Sequence, residues 1–202
     1  MLILGITGGI ATGKSTVTRM LADLGAPTVS ADALAHDLLA PGTDMTQAVL
    51  TAFPACADPA DLNGQTINRR ALGRLVFADE SARARLEALT HPAIIAALRA
   101  QIALWRASDE APAAAAEIPL LFEAKLERLV DRIVVVTCSR SDQISRMLTR
   151  SSSTEEEVYR QINAQMPLAK KEIRADFLIT TDDYDIGMES TRRQIEALWK
   201  TL

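Results

Sequence analysis

Gly8-Gly9-Ile10-Ala11-Thr12-Gly13-Lys14-Ser15 satisfies the spacing G-x-x-x-x-G-K-[ST] at every fixed position. It follows directly on the short apolar run Leu2–Thr7, which reads as a buried strand. From Lys14 to Leu24 the residues Val17, Met20, Leu21 and Leu24 recur at helical spacing, and Gly25 supplies a stop. A glycine-rich loop between a strand and a helix can turn several N–H groups inward on one anion. The helix N-terminus adds its partial positive charge at the same point. Lys14 is then expected to bridge the β- and γ-phosphates of a nucleotide, and Ser15 to offer its hydroxyl to magnesium. Gly8, Gly9, Ala11, Thr12, Gly13, Lys14 and Ser15 are therefore cofactor-binding candidates for ATP and Mg2+, with Ser15 the metal ligand. The plainer reading is a glycine-rich turn with a chance Lys-Ser.

The loop names a nucleotide, not a reaction. A GTPase or a motor ATPase carries the same loop. No Asn-Lys-x-Asp guanine-reading motif occurs, and the strand-like run Ile133–Val136 ends in Thr137-Cys138 rather than in an aspartate that would hold magnesium.

Other features bound the class. A chain of 202 residues suits one α/β domain with an insert. With 48% hydrophobic and 24% charged residues it has the means to bury a core, which argues against disorder. The net charge of -4 gives no footprint for nucleic acid. Cys56 and Cys138 form neither a metal pattern nor a disulfide framework. The opening residues lack a basic n-region followed by a long apolar stretch, so no signal peptide is expected, and no apolar run is long enough to span a bilayer. A soluble, cytoplasmic protein is expected, with no membrane or nucleic-acid partner, as a monomer or small homo-oligomer.

Pro27–Ser30 reads as a second strand and residues 31–39 as a helix ending before Pro41, the alternation of a parallel sheet with crossover helices. From Thr43 to Ser108 the pattern is helical, with Leu72, Leu75, Val76, Leu86, Leu89, Ile94, Ile95 and Leu98 as its apolar positions. Two loop-like pieces, Pro54–Gly64 and the His91-Pro92 pair, are expected to interrupt it. Ser108–Pro112 reads as a surface loop. Ala113–Ile118 has helical propensity, but its position before Pro119 favours a strand. Arg132–Cys138 is the clearest β-branched strand and is followed by a helix over residues 141–150. Ser151-Ser152-Ser153-Thr154 is a polar break, and Thr154 with Glu157 forms a capping box. Asp176–Thr180 reads as the last strand and Ile186–Leu202 as a closing amphipathic helix with Ile195, Leu198 and Trp199 on its apolar face. Trp105 and Trp199 read most simply as core or interface residues.

A small-molecule kinase needs a group beside the γ-phosphate to take the proton of the accepting hydroxyl. Asp32 stands just past the second strand, at the end of the sheet where ligands gather, and is expected to face Gly8–Ser15. It is either that base or a carboxylate that only complements the dipole of its own helix. Arg146 and Arg150, four apart on one helix face, either neutralise charge on a transferring phosphoryl group or form a solvated basic face.

Several segments, in order along nearly the whole chain, resemble the dephospho-CoA kinase family. They are Leu4–Thr16; Ser30-Ala31-Asp32-Ala33-Leu34-Ala35-His36; Arg69-Arg70-Ala71-Leu72-Gly73 with Val76-Phe77; Leu86-Glu87 with His91-Pro92 and Ile94; Glu117-Ile118-Pro119-Leu120-Leu121-Phe122-Glu123; Gln143-Ile144 with Arg146-Met147 and Arg150; Gln165; and Ala175-Asp176. The Pro-Leu-Leu-Phe-Glu and His-Pro segments are more particular than the loop. The resemblance implies transfer of the ATP γ-phosphate to the ribose 3′-hydroxyl of dephospho-CoA, the last step of CoA biosynthesis. It implies a P-loop three-layer α/β fold with a parallel sheet, a helical substrate-binding insert over residues 43–108 and a small lid over 150–171, with 1–40 and 113–202 as nucleotide-binding core. By the same resemblance Thr16 joins the nucleotide contacts. Lys14, Asp32, Arg146 and Arg150 become catalytic candidates. Thr7, Asp32, Arg70, His91, Pro119 and Glu123 become substrate-binding candidates. On the residues alone, Arg70 is a surface arginine, His91 a packed histidine, and Glu123 either orients substrate or pairs with a nearby cation.

The sequence departs from the family at Ser30, where an aspartate is common, at Ser151-Ser152 after the lid arginine, and at Thr180-Thr181, where an asparagine often follows the last strand. Two rivals stay open: another P-loop kinase with a nucleoside, nucleotide or shikimate-like acceptor, and a slow nucleotide switch.

Overall fold

The structure is a computed structural model that describes residues 1–108, 110–150, 154–181 and 187–202. Ser151, Ser152 and Ser153 of the expected polar break, which include the departure at Ser151-Ser152, lie outside the described residues, as do Asp109 in the expected surface loop and Ile186 at the start of the closing helix. The chain packs as two compact units, Met1–Ser30 with Gln101–Leu202, and Ala31–Ala100.

The first unit is built on five parallel strands: β1 (Leu2–Gly8), β2 (Thr28–Ser30), β3 (Ala113–Glu117), β4 (Arg132–Thr137) and β5 (Phe177–Thr180). Their order is β2-β3-β1-β4-β5. β1 is therefore flanked by two strands from the far half of the chain, with Ile6 level with Glu117 and Gly8 level with Val136. The expected parallel α/β sheet is the observed one. Burial on both faces explains the strand compositions. Ala113 to Ala116 are all at 0% exposure, and their small side chains let β1 and the helices close over them. Leu4, Ile6, Val17, Met20, Leu21, Val134, Val136, Ile179, Ile195 and Leu198 complete the core, with Trp199 partly buried against it.

The helices are α1 (Lys14–Asp23), α2 (Ala31–Leu38), α3 (Asp44–Ala52), α4 (Arg69–Ala78), α5 (Glu80–Arg106), α6 (Arg140–Arg150), α7 (Glu155–Asn163), α8 (Leu168–Glu172) and α9 (Gly187–Trp199). The capping box expected of Thr154 and Glu157 is present at the start of α7. Helix α8 has no counterpart in the sequence reading.

The second unit is helical. Val49, Leu50, Phe53, Cys56, Ile67, Leu72 and Ala82 form its core, with Leu39, Leu75, Val76, Leu86 and Leu89 packed against it. Helix α2 belongs here: Arg69 at the start of α4 donates to the carbonyls of His36 (3.1 Å) and Leu39 (3.2 Å). The helical unit thus spans Ala31–Ala100, where the sequence places an insert over 43–108. His91-Pro92 does not interrupt it. α5 runs unbroken through Pro92. Proline removes one N–H from the ladder, and that single loss is outweighed in a 27-residue helix whose Leu98, Ile102 and Trp105 are buried.

Candidate active site

Backbone shape comes first. Gly13, the N-cap of α1, sits at φ 89, and no side chain caps the helix behind it. The first amides of α1 are thus left for an anion. Ala11 adopts φ 57, a left-handed conformation that costs a non-glycine residue about 1–2 kcal/mol. Gly8 has no room for a side chain, and one at Gly9 would displace the Gln143 amide that holds the loop. A Cβ at Gly8 would lie 2.2 Å from the Val136 carbonyl, and one at Gly9 would lie 2.4 Å from Gln143 Nε2.

The loop carbonyls are tied back one after another. Gly8 O accepts from Lys171 Nζ at 3.1 Å. Gly9 O accepts from Lys14 Nζ at 2.8 Å and from the Thr12 hydroxyl at 2.9 Å. Ile10 O accepts from Gln143 Nε2 at 2.7 Å, Ala11 O from Arg146 Nη1 at 3.2 Å, and Thr12 O from the Thr181 hydroxyl at 2.7 Å. In a planar trans peptide the C=O and the next N–H point in opposite directions. Holding five successive carbonyls therefore aims the amides of Gly9, Ile10, Ala11 and Gly13 away from those donors, while the Thr12 amide donates within the loop to Gly9 O at 3.4 Å.

This geometry reassigns Arg146. Its half-buried guanidinium bonds Ala11 O, the Thr181 hydroxyl (3.0 Å) and the Thr181 carbonyl, so it is not a solvated basic group. Arg150, the last residue of α6, is exposed. Thr181, which stands where the family often has asparagine, is buried, and its hydroxyl also lies 3.4 Å from Thr137 O. It is a brace under the loop.

At the ends of β1 and β3 the Ser15 hydroxyl donates to Glu117 Oε1 at 3.2 Å. Glu117 is 5% exposed and closes a fully apolar strand beside β1. The acid missing after Ile133–Val136 is therefore present on the other neighbour of β1. The signal was in the sequence, an apolar run Ala113–Ala116 ending in an acid, but it needed the strand order to be read. Among the described residues no group of three or more His, Cys, Asp or Glu could hold a metal by itself. A hydroxyl and one carboxylate beside a phosphate cradle are hard oxygen donors. They fit a magnesium ion that takes its remaining ligands from water and phosphate.

Thr7 and Pro119 meet here too: the Thr7 hydroxyl donates to Pro119 O at 3.1 Å. Glu123 pairs with a cation, the fully buried Lys171, at 2.9 Å, and accepts from the Met166 amide at 3.0 Å. Its second oxygen, Oε2, is buried with no hydrogen-bond partner among the described residues, as is Gln165 Oε1. A cavity of about 430 Å³ borders the loop and is lined by Gly9, Ile10, Cys138, Gln143, Met166 and Glu172, among others. The sequence marks Gln143 only within the segment Gln143-Ile144 and Thr181 only as a departure after the last strand, and gives neither a role at the loop; nothing along the chain singles out Lys171.

The remaining candidates belong to the helical unit. Asp32 is exposed in the first turn of α2, Arg70 is exposed in the first turn of α4, and His91 is half-buried midway along α5. They stand on three separate helices. A groove of about 490 Å³ in this unit is lined by Leu34, Leu38, Met45 and Ala97 with Asp37 and Asp44.

Comparison with known proteins gives concordant likenesses. The family model described as dephospho-CoA kinase matches residues 2–185. A dephospho-CoA kinase of Geobacter metallireducens is 44% identical over 200 residues, covering 99% of this chain and 96% of that protein. A solved protein of Thermus thermophilus superposes with a TM-score of 0.80 at 31% identity, over 100% of this chain and 97% of its own. A dephospho-CoA kinase structure from Campylobacter jejuni gives 0.66 at 25% identity, over 98% and 97% of the two chains.

Proposed function

The chain belongs to the dephospho-CoA kinase family, and from that premise we propose that it moves the γ-phosphoryl group of ATP to the ribose 3′-hydroxyl of dephospho-CoA, giving CoA and ADP. The observation that carries the reading is the loop whose carbonyls from Gly8 to Thr12 are all tied back, leaving a run of amides for the nucleotide phosphates. In the transfer the acceptor oxygen bonds to the γ-phosphorus as the bond from that phosphorus to the β–γ bridging oxygen breaks, and ADP leaves. Asp32 takes the proton of the 3′-hydroxyl. Lys14 and the loop amides receive the growing charge on the bridging oxygen, and Arg150 supplies a further cation. Arg146 contributes chiefly by holding Ala11 and Thr181 in place.

Ser15 and Glu117 would hold magnesium, which would offset negative charge on the β- and γ-phosphates. Arg70 and His91 of the helical unit contact the acceptor, with Arg70 taking one of its anionic groups. Thr7 and Pro119 border the acceptor at the ends of β1 and β3, while Glu123 serves by pairing with Lys171. Helices α7 and α8 serve as the lid. Among the described residues no helix is long and apolar enough to cross a membrane. We place the enzyme in the cytoplasm as a monomer or small homo-oligomer.

The test is direct. With ATP and a panel of acceptors, ADP release should depend on dephospho-CoA, and 31P NMR of the product should show a new 3′-phosphomonoester. A nucleoside or shikimate-like acceptor phosphorylated in its place would overturn the substrate assignment. ATP hydrolysis indifferent to dephospho-CoA would favour a nucleotide switch.

A further inference from the structure

Lys171 is the largest fully buried side chain in the described structure, at 0% exposure. An ammonium is tolerated there only if each of its three protons finds an acceptor. It has three: Glu123 Oε1 at 2.9 Å, Gly8 O at 3.1 Å and Pro119 O at 3.1 Å. A buried ion pair is a poor source of stability, because apolar residues of similar volume often do as well. What a lysine supplies and a methionine does not is direction.

The direction falls on Gly8. That residue is wedged against β4, where even a Cβ would lie 2.2 Å from Val136 O. With its carbonyl held by Lys171, the Gly8–Gly9 peptide plane has one setting, and the Gly9 N–H points away from the ammonium. Lys171 adds no net charge to the cradle, since Glu123 neutralises it, so any effect on an anion is geometric. The same carboxylate accepts from the Met166 amide and so anchors the segment leading into α8. α8 has only five residues and cannot hold itself in place.

The geometry points to Lys171 as a positioning residue for the β-phosphate of the nucleotide, acting through the Gly8–Gly9 peptide. This rests on the reading of residues 8–15 as the nucleotide site, and Lys14→Ala tests that reading separately: it must weaken ADP binding in calorimetry, or the site reading itself fails. Lys171→Met alone would strand a buried Glu123, so the working variant is Lys171→Met with Glu123→Gln, which removes both charges. Its circular dichroism and melting temperature should stay near wild type. Its Kd for ADP and KM for ATP should rise about tenfold, the scale of one well-placed hydrogen bond to a charged group. KM for dephospho-CoA should stay within about twofold, a split that a merely structural loss of active protein would not produce. Wild-type ADP affinity, a joint rise in both KM values, or a double variant that does not fold would each overturn the assignment, the last because the pair would then hold the fold rather than the loop.

Discussion

The two units present their candidate residues in opposite ways. In the sheet unit each loop carbonyl from Gly8 to Thr12 has a named donor, and Ser15, Thr7 and Glu123 are each hydrogen-bonded. In the helical unit Asp32 and Arg70 are exposed and His91 is half-buried, each on its own helix. The contrast teaches where preorganisation matters. A phosphate has fixed geometry and a charge that rigid amides can match in advance. In the proposed function the long, flexible acceptor is instead met by side chains that adapt to it.

If this division is right, substitutions in the two units should separate kinetically. Asp32→Asn should give the largest effect, a fall of about 10²–10⁴-fold in kcat with ADP affinity near wild type. Wild-type turnover in that variant would remove Asp32 from the chemistry. Lys14→Ala should lower kcat by about 10²–10³-fold and weaken ADP binding as well, because it strips a cation from the preorganised side. Calorimetry beside steady-state kinetics distinguishes the two. Arg70→Ala should raise KM for dephospho-CoA by about tenfold, the worth of one charge-assisted contact, and leave ADP affinity alone. A change in ADP affinity instead would break the division between the units.

The smallest effect concerns α7. Thr154→Ala removes its cap and should cost about 1 kcal/mol, read from hydrogen exchange of the first turn. The backbone N–H of Thr154, and then its side chain, hold the Glu157 carboxyl below the usual carboxylate range. A depressed carboxyl contributes stability above its unfolded pKa and loses it as pH falls through the lower folded value. Protection factors at the start of α7 should therefore fall in acid, below the ordinary glutamate range; that pH dependence should shrink but persist in Thr154→Ala, which keeps the backbone N–H, and vanish in Glu157→Gln.

The strands flanking β1 show why only part of the site could be read in advance. β4 announces itself through Ile133-Val134-Val135-Val136, and its end in Thr137-Cys138 suggested that no acid holds magnesium. β3 is written in alanines that favour a helix, and only Pro119 behind it argues otherwise. Yet β3 carries Glu117 to the Ser15 hydroxyl. Local propensity cannot say which strand lies beside which; the order β2-β3-β1-β4-β5 does. The His91-Pro92 pair misled for a related reason. Proline breaks a helix when little else supports it, and α5 has buried side chains on its later turns.

By itself the sequence determined what depends on neighbours in the chain: the strand, the glycines, Lys14 and Ser15 of the loop, the cap of α7 and the alternation that makes a parallel sheet. These are short-range, since an octapeptide and a helical period contain their own geometry. Tertiary structure decided what makes the loop rigid. Gln143 lies 133 residues from the carbonyl it holds, Arg146 135, Lys171 163 and Thr181 169. No pattern along a chain encodes a contact at such separations; only packing β4, β5, α6 and α8 around β1 brings those donors to the loop.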